Sequence, residues 1–381
     1  MPSSSLTGNF NLALFGHELG HKWWGNKVKT SGSKGKGMLD EAMAQYGALL
    51  TVEKFDTSNG AEAFRRKGYP GYINNQSGFG YLKYAVTGQD APLSSLPSGY
   101  THTIGDSKGF LVYDILSQTI GREILFKALK NITERYAYIS WDEFLLEVEN
   151  ASNQKLTWFN EQWFNQTGVP DWEAYWRQSG DSLHIEVTQK EPYYRIDNLE
   201  LDIISKDNKI LQRTIAIHGQ KSNISIPVNF EIREVKIDPY FKILHWDKAY
   251  KEEALALLSA TMVQNERIKG NLNKADSLYQ EAVKLIPTND KYGMAFSLEY
   301  EIARIKTMRG DSSGAIKHFL HAIQLPVRGE LLPWAYFRLA ELAKKVNDQN
   351  LFEQASNMAI SADAVIGNVN GMKEQIQKLK N

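Results

Sequence analysis

The sequence predicts a multidomain α+β protein, because its hydrophobic pattern changes twice along the chain and its length exceeds that of one ordinary domain. The chain has 381 residues, of which 42% are hydrophobic and 23% charged, a composition that can build buried cores. The pattern is helical first, then typical of strands, then helical again. We therefore expect three domains, at residues 1–168, 169–248 and 249–381.

The first region, residues 1–168, is predicted to be mainly helical, because apolar residues recur in it at helical spacing. Ser140 and Glu143 have the spacing of a capping box at a helix start. A flexible loop is expected at Ser31–Gly37, and the longer loop Lys67–Thr103 has the length of one that shapes a binding cleft. The predicted helical segments are Leu12–Trp24, Leu39–Phe55, Phe110–Ile120, Ile124–Ile132 and Phe144–Val148.

The second region, residues 169–248, is predicted to be an antiparallel β-sandwich. Its segments are short, rich in Val and Ile, and separated by polar turn residues. The predicted strands are Leu183–Val187, Leu199–Ile204, Arg213–Ile217, Ile224–Val228 and Glu234–Ile237.

The third region, residues 249–381, is helical and internally repetitive. Ala275, Ala315 and Ala355 are each 40 residues apart, and small residues at fixed helical positions let two helices approach closely. The pattern resembles tetratricopeptide repeats, with a period longer than their usual 34 residues. Such repeats would offer a surface for a protein partner; unrelated helical hairpins are the alternative.

Composition excludes several classes of function. Lys+Arg and Asp+Glu both number 44, so a neutral chain offers no electrostatic case for binding nucleic acid. The chain has no cysteine, which excludes disulfides and thiolate metal sites. No run of eighteen apolar residues predicts a membrane span, and no targeting segment is recognisable. The sequence does not determine the cellular compartment and only weakly favours an extracytoplasmic location.

His17 and His21 form the ends of an HExxH motif. Residues i and i+4 share one face of a helix, so both imidazoles can bind one metal ion while Glu18 lies beside it. Catalytic zinc needs a third protein ligand and an open position. Glu41 follows His21 with 19 residues between them, and a loop of that length can return its carboxylate to the ion.

The segment HELGHKWWGNKV, followed by LDEAMAQY, resembles the gluzincin aminopeptidases, the family of aminopeptidase N and leukotriene A4 hydrolase. The resemblance continues through Lys108-Gly109-Phe110 and NEQWFNQTGVP, and covers roughly residues 10–247. It implies a thermolysin-like catalytic domain, a following β-sandwich and a peptide substrate. It also implies one Zn²⁺ per chain, with His17, His21 and Glu41 as ligands and Glu18 as general base.

The sequence departs from the family at four places. The gap before Glu41 is 19 residues rather than 18, and we expect the additional residue in SGSKGKG. Asp40 and Ala42 replace the usual Asn and Gly, and the upstream GxMEN motif that binds the substrate amine is absent. Because only 16 residues precede His17, we expect a fragment or a chain that has lost an N-terminal domain.

The fourth departure is Asp106, which stands where the family has the tyrosine that stabilises the oxyanion. An ionised aspartate cannot donate a hydrogen bond to that oxygen. We therefore expect Asp106 to be protonated or to turn away from the metal, in a structural role such as pairing with Lys108. Tyr100 and His102 become the candidate donors, with Tyr100 slightly favoured for its like chemistry.

The sequence thus predicts a zinc hydrolase that cleaves peptide bonds, with aminopeptidase as the preferred activity. Two alternatives stay open. One is a zinc-bearing pseudo-peptidase that serves partner binding, which the missing tyrosine and amine motif favour and the intact Glu18 opposes. The other is a zinc endopeptidase, which needs no amine-binding motif.

Overall fold

The computed structural model describes residues 11–56, 60–69, 76–86, 90–290, 293–326, 328 and 331–380. The chain forms two compact units, which divide between Asp247 and Lys248. Helices and antiparallel sheets both occur, so the predicted mixture of the two is confirmed. The division near residue 168, the sandwich and the tetratricopeptide repeats stay predictions.

The part of the first unit before residue 168 is mainly helical, with one short parallel strand pair, β1 with β2. A π-helical turn, Met38–Ala42, leads into α2, and a longer one, Thr101–Gly109, leads into α5. The elements are α1 (Leu12–Gly20), β1 (Lys29–Thr30), α2 (Met43–Phe55), α3 (Gly60–Arg66), α4 (Gly78–Val86), α5 (Phe110–Ile120), α6 (Arg122–Arg135), β2 (Tyr138–Ile139), α7 (Trp141–Ser152) and α8 (Thr157–Phe159).

Two glycines bring α1 and α2 into backbone contact. A Cβ atom on Gly20 would lie 2.8 Å from the Cα atom of Ala44, and one on Gly16 would lie 2.9 Å from that of Ala48. Distances this short are not compatible with a side chain, so the glycines permit an approach that other residues would prevent. This approach sets the distance between the face of α1 that carries the histidines and the start of α2.

The predicted capping box at the start of α7 is confirmed. The Ser140 side chain accepts from the Glu143 amide, and the Glu143 carboxylate accepts from the Ser140 amide. This cap fixes the entry of α7, whose buried Trp141 packs edge-to-face on Phe164 with ring centroids 4.6 Å apart.

Beyond residue 170 the first unit contains two three-stranded antiparallel sheets, with strand orders β3-β4-β7 and β6-β5-β8. Buried and less buried residues alternate along β4, where Leu183, Ile185 and Val187 are buried, as expected for a strand with one face on a core. The strands are β3 (Trp172–Ser179), β4 (Ser182–Gln189), β5 (Ile196–Ser205), β6 (Ile210–Ile217), β7 (Lys221–Pro227) and β8 (Ile232–Ile237).

The second unit is helical in its described residues, and its consecutive helices pack in pairs. Ala275, Ala315 and Ala355, the residues that share the 40-residue spacing, are all buried. None of the described helices is long and apolar enough to cross a membrane. The helices are α9 (Lys248–Ile268), α10 (Leu272–Ala282), α11 (Met294–Met308), α12 (Ser312–Gln324), α13 (Leu332–Lys345), α14 (Gln349–Val365) and α15 (Met372–Lys380).

The contact between α1 and α2 predicts the effect of Gly20→Ala. Alanine favours helices over glycine by about 1 kcal/mol, but the added methyl group would overlap the Ala44 backbone, and overpacking costs about 1–3 kcal/mol. We expect a net loss in the free energy of unfolding, measured by urea denaturation. Gly99→Ala is the matched control, because a Cβ atom on Gly99 meets no atom within 4 Å. Equal stability of the two variants would contradict the close contact.

Candidate metal centre

Three predicted ligand atoms converge in one place. The Nε2 atoms of His17 and His21 lie 3.1 Å apart, and the Glu41 Oε2 atom lies 3.5 Å from the first and 3.4 Å from the second. His17 and His21 belong to one face of α1 and the turn after it, whereas Glu41 comes from the π-helical turn before α2. The HExxH spacing and the contact between the two helices together produce this triangle.

The triangle has the size that a zinc ion requires. Tetrahedral zinc with bonds of about 2.0–2.1 Å separates its ligand atoms by roughly 3.3–3.4 Å, and three protein ligands leave one position open. Two nitrogens and one carboxylate oxygen are also the donor set of gluzincin-type catalytic zinc. The residues present therefore fit the ion that the sequence implies.

Hydrogen bonds at the far side of each imidazole direct its lone pair towards the triangle. His17 Nδ1 lies 2.9 Å from the Gln45 side-chain oxygen, and His21 Nδ1 lies 3.2 Å from the Trp24 carbonyl oxygen. Both partners are acceptors, so each Nδ1 can carry a proton and each Nε2 is directed towards Glu41. Two imidazole nitrogens and a carboxylate facing one another are favourable only around positive charge, which is either a proton on Nε2 or a metal ion.

The electrostatics of the triangle point the same way. Hydrogen bonds from His17 and His21 hold the pKa of Glu41 well below its usual range. The hydrogen bond with Glu41 raises the pKa of His21, and the negative charge of Glu18 adds to this effect. The site therefore stabilises positive charge at the place where the three ligand atoms meet.

The turn that carries Glu41 is held by α5 and the residue before it. A Cβ atom on Gly109 would lie 2.6 Å from that of Ala42, so only glycine permits this approach. Tyr113, on α5, donates from its hydroxyl to the Met38 carbonyl over 3.0 Å. Gly109, which belongs to the Lys-Gly pair of the family resemblance, thus packs against the turn that carries Glu41.

Glu18 lies between the two histidines in sequence and on α1 in space. It is partly exposed, and no hydrogen bond or ion pair holds its carboxylate among the described residues. A general base must be free to accept a proton, so this environment suits the predicted role. After the hydrogen bond with Glu41, the negative charge of Glu18 also raises the pKa of His21.

Asp106 faces the ligand group and does not pair with Lys108, so that part of our expectation is wrong. The Asp106 side chain is fully buried, and its Oδ2 atom accepts from the Gln76 amide at 2.8 Å and lies 3.2 Å from His102 Nδ1. Burial raises the pKa of Asp106 to about 6, opposed by the charge of His17. The Asp106 carboxyl group thus lies beside the ligand group and contacts Gln76 and His102.

Of the two candidate donors, His102 has a contact with the ligand group. Its Nδ1 atom lies 3.7 Å from Glu41 Oε2, and 71% of its side chain is exposed. Its Nε2 atom has no partner among the described residues. Tyr100 ends a short 3₁₀ turn and is partly exposed, with its carbonyl accepting from Thr103. Within the described part of the chain, no hydrogen bond joins the Tyr100 hydroxyl to the site.

Lys108 has a separate set of partners. Its buried ammonium donates to the carbonyl oxygens of Gln166 at 3.1 Å and Gly168 at 2.9 Å, and lies 5.1 Å from the centre of the Tyr81 ring. Burial lowers the pKa of Lys108 to about 8, opposed by the charge of Asp90. Lys108 therefore joins the start of α5 to the segment that leads into the strands.

Gln45 and Gln76 were not predicted from the sequence, although both contribute to the site. Gln45 is four residues after Glu41, and residues at this spacing share one helix face. Its place near the site could therefore have been predicted from the sequence. Gln76 lies in the long loop before α4, where no periodic pattern identifies a side chain that will be buried. The amide of Gln45 donates to the Gln76 side-chain oxygen over 3.4 Å.

Comparisons with known proteins give one family match and one solved structure of similar fold. The Peptidase family M1 domain matches residues 3–163. Among solved structures, aminopeptidase A of Legionella pneumophila, in complex with aspartic acid, matches with a TM-score of 0.50 and 12% sequence identity. The match covers 96% of this chain and 49% of the aminopeptidase, so the chain spans about half of that protein's length. No curated protein sequence matches significantly.

At 12% identity the structural match shows a shared fold only, whereas the match to the family comes from the sequence itself. The matched residues include the HExxH motif and the helix start that carries Glu41. Residues 3–163 are therefore similar in sequence to the peptidase family M1 domain.

Proposed function

We propose that this chain is a zinc-dependent metallopeptidase that hydrolyses peptide bonds, and that it acts as an aminopeptidase. The observation that carries the proposal is the triangle of His17 Nε2, His21 Nε2 and Glu41 Oε2, with distances of 3.1–3.5 Å. Glu18 is on the same helix, and its carboxylate has no ion pair with any residue that the structure describes. Zinc would be bound at one ion per chain.

A bound Zn²⁺ would act as a Lewis acid on the scissile carbonyl and lower the pKa of a water molecule in the site. Glu18 would take a proton from that water as it attacks, and would then give it to the departing amine. Neither step requires Glu18 to bind the metal, which agrees with its position between the two ligands in sequence.

Negative charge develops on the former carbonyl oxygen, and a donor must replace the absent phenol. We propose His102 for this role, because its Nδ1 atom is held between Asp106 and Glu41 while its Nε2 atom has no partner among the described residues. In its doubly protonated form the ring can donate from Nε2. Tyr100 is the alternative donor.

A pseudo-peptidase is the second candidate, since Asp106 occupies the position of the family's tyrosine. A zinc endopeptidase is the third, because such an enzyme uses the same zinc and general base without binding a substrate amine. An aminoacyl arylamide and an internally quenched, N-blocked peptide distinguish the three. Cleavage of the first alone supports an aminopeptidase, cleavage of the second supports an endopeptidase, and cleavage of neither by the zinc-loaded chain supports a pseudo-peptidase.

Metal analysis of the purified chain should give one zinc ion per molecule. His21→Ala should lose that zinc, because two ligands bind far more weakly than three. His218→Ala is the matched control, since His218 lies after β6 and pairs with Asp197. Equal zinc content in the parent and His21→Ala would refute the ligand assignment.

Glu18→Gln should keep the zinc and lose hydrolysis by a factor on the order of 10² or more, because the amide cannot accept the proton. The change preserves the size of the side chain, and no contact of Glu18 among the described residues is broken. Initial rates on the substrate that the parent cleaves test this, with metal content measured on the same samples. Near-parental turnover would show that another group is the base.

His102→Ala should lower kcat by about 10²–10³ if His102 donates to the oxyanion. Tyr100→Phe should then leave kcat close to that of the parent, because it removes only a hydroxyl. The reverse pattern would assign the role to Tyr100. Parental rates in both variants would show that neither residue stabilises the oxyanion.

A further inference from the structure

We infer that Asp106 is a positioning residue for the metal ligand His17, acting through Gln45 and Gln76. This inference rests on the zinc centre proposed above and assigns a purpose to the aspartate that replaces the family's tyrosine. Four side chains form one continuous series of hydrogen bonds, from His17 through Gln45 and Gln76 to Asp106.

The series consists of three steps through buried side chains. His17 Nδ1 lies 2.9 Å from Gln45 Oε1, Gln45 Nε2 lies 3.4 Å from Gln76 Oε1, and Gln76 Nε2 lies 2.8 Å from Asp106 Oδ2. Gln45, Gln76 and Asp106 are at most 5% exposed. In a buried region each step is stronger than it would be in water, and neighbouring hydrogen bonds polarise one another.

The chemistry of Asp106 fixes the direction of every step. An ionised carboxylate is an acceptor only, so Gln76 must direct its NH₂ group towards Asp106 and its oxygen towards Gln45. Gln45 must then direct its NH₂ group towards Gln76 and its oxygen towards His17. That oxygen can only accept, so the His17 proton is on Nδ1 and the lone pair is on Nε2.

Glutamine alone cannot supply this direction. Its amide offers an oxygen at one end and an NH₂ group at the other, and the two have nearly the same shape. A series of two amides could therefore run either way, and the reverse direction would place a donor opposite His17 Nδ1. The proton would then move to Nε2 and block the metal position. A fixed acceptor at the far end removes that alternative.

His102 approaches Asp106 from the opposite side. Its Nδ1 atom lies 3.2 Å from the same Oδ2 atom, and the side chain is mostly exposed. Asp106 thus interacts both with Gln76, which leads to His17, and with His102. His102 Nδ1 also lies 3.7 Å from Glu41 Oε2, so substitution of Gln76 is the change that interrupts the path to His17 alone.

The affinity for Zn²⁺, measured by competition with a chromogenic chelator, tests the inference without using activity. Asp106→Asn and Gln76→Leu should each weaken zinc binding about 10–100-fold, as is typical when an outer partner of a ligating histidine is lost. The double variant should bind Zn²⁺ no less tightly than the single variant with the lower affinity, because both changes interrupt the same series of hydrogen bonds.

Asp90→Asn is the matched control for loss of a carboxylate. Asp90 Oδ2 accepts from Tyr81 and from the Gly168 amide, outside the series. It should therefore leave zinc affinity unchanged. A second readout is the ¹H–¹⁵N spectrum of the zinc-loaded chain, in which the His17 Nδ1 proton reports its hydrogen bond to Gln45. Its ¹H shift should change in Asp106→Asn and Gln76→Leu and stay at the parental position in Asp90→Asn.

Unchanged zinc affinity in Asp106→Asn and Gln76→Leu, or losses that add in the double variant, would overturn the inference. If Asp106→Asn does not fold, Gln76→Leu carries the test, because it changes no charge. A parent chain that binds zinc without hydrolysing peptides would refute the proposed activity and leave this inference standing. A parent that hydrolyses peptides while the variants keep their zinc affinity would refute the inference alone. A parent that binds no zinc would refute both.

Discussion

The backbone contact between α1 and α2 is the constraint on which the proposed metal centre depends. Gly16 and Gly20 allow the two helices to approach until a Cβ atom would not fit between them. His17 lies directly after the first glycine and His21 directly after the second, so the helix face that packs and the residues that bind are offset by one position. The packing of the two helices therefore determines the distances between the proposed ligands, and this packing is rigid.

The predicted ligand group follows from local rules, and this explains why the sequence could identify it. An i, i+4 pair on a helix defines its own geometry, and a third ligand on the next helix needs only a loop of sufficient length. Asp106 shows the limit of such rules. Its environment depends on Gln76, which is 30 residues away in sequence and reaches it only in the folded chain.

The additional residue before Glu41 illustrates the same point. We expected it in SGSKGKG, a loop that tolerates insertions by composition. The structure has a π-helical turn at Met38–Ala42, directly before α2, and the place of the additional residue stays a prediction. This turn contacts Gly109 and Tyr113, which are more than 65 residues away in sequence, so its neighbours could not be identified from local spacing. The sequence therefore predicts that the Glu41 carboxylate lies at the site, but it does not predict the backbone conformation that places it there.

Lys108 has a consequence for how the chain may be divided. Its ammonium is buried, and its hydrogen-bond acceptors are the carbonyl oxygens of Gln166 and Gly168. A truncated protein ending before these residues would retain the lysine and lose both acceptors, and a buried cation without acceptors is strongly destabilising. Removing residues 166–168 would therefore destabilise the helical region itself, because the buried Lys108 ammonium would lose its acceptors. In terms of folding, residues 166–168 belong to the helices that precede them.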